Sequence, residues 1–190
     1  MPLETCALCL QQRKLRESHY IPQGVFKIVG HGGPEYESQS VSLNFQTGTT
    51  TYSNFQPKKR LLCGDCEQIF SCQGENQVIP ELLTHQGFPL RDDVLSLVSN
   101  NELVTRNTKG KLDYKSYAHF ALSVIWRGSI TRWPAPYDNL YGKLRHHEDL
   151  FRRYLYGQSD FPHNTFITVV IDTVDAVSYT HLTLPTIYSV

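Results

Sequence analysis

Cys6-Ala7-Leu8-Cys9 and Cys63-Gly64-Asp65-Cys66 bracket the first third of the sequence, with 53 residues between the two pairs. Two Cys-x-x-Cys units complete the four-thiolate set that a closed tetrahedral zinc site requires. The metal would close a loop that otherwise has little reason to fold. The competing chemistry is a pair of vicinal disulfides. A redox Cys-x-x-Cys, however, sits at a helix start after a strand in a βαβ unit, and nothing before Cys6 can supply that strand. The spacing therefore predicts structural Zn²⁺ on Cys6, Cys9, Cys63 and Cys66. Cys72 is left over and reads as a half-buried free thiol.

At 190 residues, 40% apolar and 12% aromatic, the chain has the composition of an ordinary globular protein with enough material for a core. Eighteen basic and eighteen acidic residues cancel. No long-range field then draws the molecule onto DNA or an anionic membrane, and nucleic-acid contact has to be local. No apolar run approaches the length of a membrane span, and Met1-Pro2-Leu3-Glu4 opens into the first cysteine pair without a signal-peptide core. Thiols kept for zinc suit a reducing cytoplasm.

Pro22 opens a short helix over 23–29, which Gly30 to Pro34 break. Alternation in Val41–Phe45 and around Thr51–Phe55 predicts two short strands joined by a Thr47-Gly48 turn. A helix begins near Asp65 and is expected to be interrupted at Gly74. Pro80–Leu83 and Asp92–Val98 are short periodic pieces. Asp113 is a good N-cap for a core helix over Tyr114–Arg132, and a second helix is expected over Leu140–Tyr156 with Gly157 as its C′ residue. Phe166–Ile171 reads as a strand. The fold class is α+β: a zinc-binding domain over 1–75, then a mainly helical α+β region over 76–176. The segment from Val177 to Thr186 is what GTC TCT TAT ACA CAT CTG ACG CTG CCG ACG encodes, a string that looks like an adapter of transposase-based sequencing libraries. Residues 177–190 are therefore expected to be read-through, with the natural chain continuing past Ala176.

Between the cysteine pairs lies Ser18-His19-Tyr20-Ile21-Pro22; Leu61-Leu62 leads into the second pair, Glu67 follows it, and Ser123-Val-Ile-Trp-Arg127 lies in the core helix. Together these resemble the HNH endonucleases of the ββα-metal, treble-clef class that carry a four-cysteine zinc, and more narrowly a set of bacterial HNH-like proteins. The resemblance covers residues 5–72 by motif and extends loosely to about 172. It implies a hydrolase of DNA phosphodiester bonds in which His19 is the general base and a divalent cation, Mg²⁺ or Mn²⁺, stabilises the leaving oxygen. Glu67 matches the position of a metal-binding histidine and can bind such a cation through oxygen. Asn54, or less closely Asn44, matches the central asparagine. Ser18 stands where the family has a metal ligand and is a poor one. Glu75 shares a helix face with Glu67 if the helix survives Gly74.

Arg13, Lys14 and Arg16 follow the first pair, and Lys58, Lys59 and Arg60 precede the second, so zinc would bring the six near one another. They read either as a phosphate-binding surface or as solvated loops balanced by nearby acids. His146-His147 reads as surface, because adjacent helical residues do not chelate together. Trp126 and Trp133 read as core. The alternative function is a zinc module without catalysis that binds nucleic acid or a protein partner, and a purely structural part of a larger protein is a third.

Overall fold

The fold was analysed in a computed structural model, which describes residues 2–30, 40–44, 48–53, 55–82, 87–97, 113–135, 137–163 and 165–167. Asn54, most of the strand expected at Phe166–Ile171, and 177–190 lie outside these. The described chain is α+β, with helices set around two-stranded antiparallel sheets.

The first cysteine pair sits between β1 (Glu4–Thr5) and β2 (Gln12–Arg13), which pair across it. The turn is tight enough to place Leu10 at φ 61°, and the Leu10 N–H returns to the Cys6 carbonyl at 2.9 Å. β3 (Leu15–His19) pairs antiparallel with β6 (Lys58–Cys63), from Leu15 opposite Cys63 to His19 opposite Lys58. Opposite Arg16 and Glu17 the register shifts by one, leaving Leu61 of β6 without a strand partner. Leu15 and Ser18, three residues apart on β3, are both buried. α1 (Gln23–Gly30) follows Pro22, and β4 (Ser40–Asn44) and β5 (Thr49–Ser53) form the expected hairpin, with Gly48 at φ 64°.

β6 runs directly into α2 (Gly64–Phe70), which puts Cys63 at the helix N-cap and Cys66 in its first turn. The helix does not stop at Gly74. It passes through a π-helical turn, Ser71–Glu75, into α3 (Asn76–Leu82), which carries Pro80 within it. Gly74 is there for packing: a Cβ on it would stand 3.0 Å from both Cα and N of Phe120. Gly74→Ala should therefore push two helices apart and destabilise the protein by about 1–3 kcal/mol, the range for overpacked sites, as read by chemical denaturation.

α4 (Pro89–Leu97) turns a segment of ambiguous periodicity into helix. α5 (Tyr114–Ile130) is the central element, capped as expected by Asp113, whose carboxylate accepts the Lys115 and Ser116 N–H groups at 3.1 and 3.3 Å. The helix expected over Leu140–Tyr156 forms only as α6 (His147–Leu155). The preceding chain is instead tied back to the end of α5: the Gly142 N–H reaches the Ser129 carbonyl at 2.9 Å and the Leu144 N–H its hydroxyl at 3.2 Å, with Gly142 at φ 67°. Gly157, at φ 76°, ends α6 as anticipated. One core gathers Cys6, Leu8, Leu62 and Phe70 with Leu122, Trp126, Trp133, Phe151 and Leu155. Both tryptophans are core residues, and Cys72 is exposed rather than half-buried.

His119, on α5, is buried with Nε2 3.2 Å from the Leu155 carbonyl, which can only accept, so Nε2 carries the proton. Its Nδ1 is buried without a partner. Burial holds this imidazole below its ordinary value, and the Arg127 charge adds to the effect. The unfolded chain then takes up the proton first, so stability is complete above the ordinary histidine value of about 6.5 and declines as pH falls below it. Thermal melts of His119→Gln should show a shallower acid limb than those of the parent protein.

Candidate functional site

The four cysteines are gathered by the turn at 6–9 and by the junction of β6 with α2. Their sulfur atoms all lie within 4.8 Å of one another, among the described residues the one such group of His, Cys, Asp or Glu. Tetrahedral zinc with Zn–S bonds of ~2.3 Å sets sulfurs ~3.8 Å apart, so the cluster is compact enough that it could hold such an ion. Cys6, Cys63 and Cys66 are buried and Cys9 is partly so, and the Cys63 N–H points at the Cys6 Sγ at 3.3 Å. The hydrogen bond from Cys66 draws the Cys6 thiol down to about 4, while Cys6 in turn pushes Cys66 up. Burial raises Cys9. Four thiols so placed could hold a metal ion, whose charge favours the thiolate form of each.

A cleft of about 240 Å³ opens beside this cluster, between the end of β3, the face of α2 with its π-turn, and α5. It is lined by His19, Glu67, Ser71, Glu75, Arg16 and Arg127, among others. His19 lies at the end of β3, with Nε2 buried and unpartnered. Burial lowers its pKa first, then the Lys58 charge; the Gln56 side chain, by hydrogen bonding, works the other way. Glu67 accepts a short hydrogen bond from the Ser18 hydroxyl, which itself accepts the Leu62 N–H at 3.2 Å. Burial pushes the Glu67 carboxyl up, against the pull of Ser18 and Arg127.

Glu75 reaches the same cleft because of the π-turn. In an unbroken α-helix, residues eight apart point ~80° from one another, and a π-bulge absorbs one residue and brings them to within ~20°. The Arg127 guanidinium, 1% exposed, lies 3.1 Å from a Glu75 oxygen. It also donates to the His19 carbonyl at 3.0 Å and to the Ser123 hydroxyl at 3.2 Å.

The six cations do not form one free surface. Arg60 pairs with Glu4 at 2.7 Å, and Lys59 donates to the Thr131 hydroxyl at 3.3 Å and to the Arg132 carbonyl. Arg13 donates to Gln11 at 2.7 and 3.1 Å. Lys14 and Lys58 are exposed. Arg16 alone of the six lines the cleft, its guanidinium lying against Gly64, where a Cβ would come within 3.0 Å of Nε. The cleft thus joins His19 and Glu67, while Asn44 ends β4 in the separate hairpin. Arg127 and Ser123 stood in the sequence only as parts of a matched motif with no site role, and the anchoring role of Ser18 was missed. The available signal was an arginine on an otherwise apolar core helix, which burial makes costly unless it is fully paired.

No protein-family model, curated protein or solved structure matches the chain. Fold and site define an α+β protein with a four-cysteine cluster that could hold a metal such as zinc. No helix among the described residues is long and apolar enough to cross a membrane.

Proposed function

We propose that the chain is an HNH-like endonuclease that hydrolyses DNA phosphodiester bonds on a zinc scaffold. One observation carries this: His19, Glu67 with Glu75, and Arg127, from three segments at least 48 residues apart, converge on one polar cleft. In this reading the cysteine turn, the β3–β6 pair and α2 would be the elements of a treble clef, with α1, β4 and β5 inserted between the two strands. His19, whose pKa burial holds below the ordinary value, is in this reading the general base that takes a proton from an attacking water. Arg16 has no carboxylate partner among the described residues and is the cation available to a substrate phosphate.

The cleft offers a divalent cation carboxylates rather than a cage, which suits Mg²⁺ or Mn²⁺, ions that keep waters and bind substrate oxygens. When bound, such an ion would supply charge stabilisation at the leaving oxygen, and Glu67 is the residue that would hold it. Ser18 orients Glu67 instead of serving as a ligand. The second reading, a zinc module without catalysis, draws on the same hydrogen bond, because it engages one Glu67 oxygen inside the fold. Conversion of supercoiled plasmid to open circle, with Mg²⁺ or Mn²⁺ and with chelator that spares the zinc, separates the two.

A further inference from the structure

Arg127 is the most heavily committed side chain bordering the cleft. Its Nε donates to the Ser123 carbonyl at 3.2 Å, one terminal nitrogen to the His19 carbonyl at 3.0 Å, and the other to Glu75 at 3.1 Å and the Ser123 hydroxyl at 3.2 Å. Its own carbonyl accepts the Trp133 indole N–H at 2.8 Å, and the guanidinium carbon stands 5.2 Å from the centre of the Phe70 ring. A buried guanidinium needs partners for its donors, and a carboxylate alone would satisfy the charge. Here two of its partners belong to the walls of the cleft: the backbone of the histidine and the carboxylate that the π-turn rotates inward. A planar fork is the shape that can reach both at once.

We propose that Arg127 is the positioning residue of the cleft: by gripping the His19 carbonyl and the Glu75 carboxylate together, it fixes the histidine ring relative to the α2 face. It pairs with Glu75 and leaves Glu67 as the carboxylate facing the substrate. The catalytic consequence rests on the endonuclease reading, whereas the geometric one does not. A lysine at this position keeps the charge but cannot span the two partners, so the end of β3 is released from the π-turn. His19 then loses some of its burial beside Lys58, Gln56 and Glu75.

The experiment uses the full, zinc-loaded chain carrying Arg127→Lys, with Ser123→Ala as the milder variant that removes one of the Arg127 contacts, and the hydroxyl's bond to the Phe120 carbonyl, but no charge. Two readouts are taken: the NMR titration of the His19 ring and the rate of plasmid nicking against substrate concentration. Expected for Arg127→Lys are a His19 midpoint that rises toward the ordinary ~6.5 and a kcat lowered ~10- to 100-fold at little changed KM, the scale of a misplaced catalytic group. Ser123→Ala should show the same signs, smaller. If Arg127→Lys does not fold, Ser123→Ala decides by the same two readouts. A variant that is folded, with an unmoved His19 titration, reduces Arg127 to a structural ion pair and overturns the proposal. Absence of nicking by the parent protein sinks the endonuclease reading alone, since the titration still judges Arg127.

Discussion

Cys66→Ser should destabilise the whole N-terminal half rather than weaken it locally. Cys66 is buried in the first turn of α2, and its sulfur belongs to a cluster whose members come from residues far apart in sequence. Serine offers zinc a poor ligand, and loss of a structural metal is among the few single changes that exceed about 4 kcal/mol. For a chain of this size each kcal/mol moves the melting point by ~2–4 °C, so a fall of at least ~8 °C is expected. The effect reaches the core, because Cys6, Cys63 and Cys66 pack in the same cluster as Leu8, Leu62 and Phe70. Metal analysis of the purified parent protein should return one zinc per chain, and removal by a strong chelator should reproduce the melt of the variant. A parent protein that holds no zinc and melts unchanged with chelator would reduce the cluster to four thiols.

His19→Ala should behave in the opposite way, with activity lost and fold kept. Arg127 grips the backbone carbonyl of residue 19, which the substitution leaves in place. The ring's Nε2 has no partner, and its removal deprives only the partly exposed Gln56 side chain of a hydrogen bond, which water can replace. General-base catalysis contributes ~10²- to 10⁴-fold, and nicking should fall by about that factor while zinc content is unchanged. The combination separates chemistry from architecture, which Cys66→Ser cannot.

Elements announced by local chemistry were legible in the sequence. The four-cysteine cluster follows from spacing, α5 from its Asp113 cap and apolar girth, α1 from Pro22, and the β4–β5 hairpin from alternation around Gly48. What escaped depended on interactions distant in the chain. The register shift opposite Arg16 and Glu17 has no sequence marker, and neither has the burial of Ser18 that lets it hold Glu67. Gly74 looked like a helix breaker because its role, room for the Phe120 backbone, belongs to a residue 46 positions away. The helix start near Leu140 failed because Ser129 captures two backbone N–H groups there. Of the candidate site, His19 and Glu67 do share a cleft. The six cations, read as a group by their spacing, are divided by partners such as Glu4 and Thr131 that only folding brings near.

The most direct measurement is plasmid nicking by parent protein and His19→Ala at equal zinc content, with added Mn²⁺ or Mg²⁺. Cleavage that requires the added ion and is lost in the variant is the predicted result. Equal cleavage by both, or none by either at high protein concentration, would contradict the assignment of chemistry to this cleft.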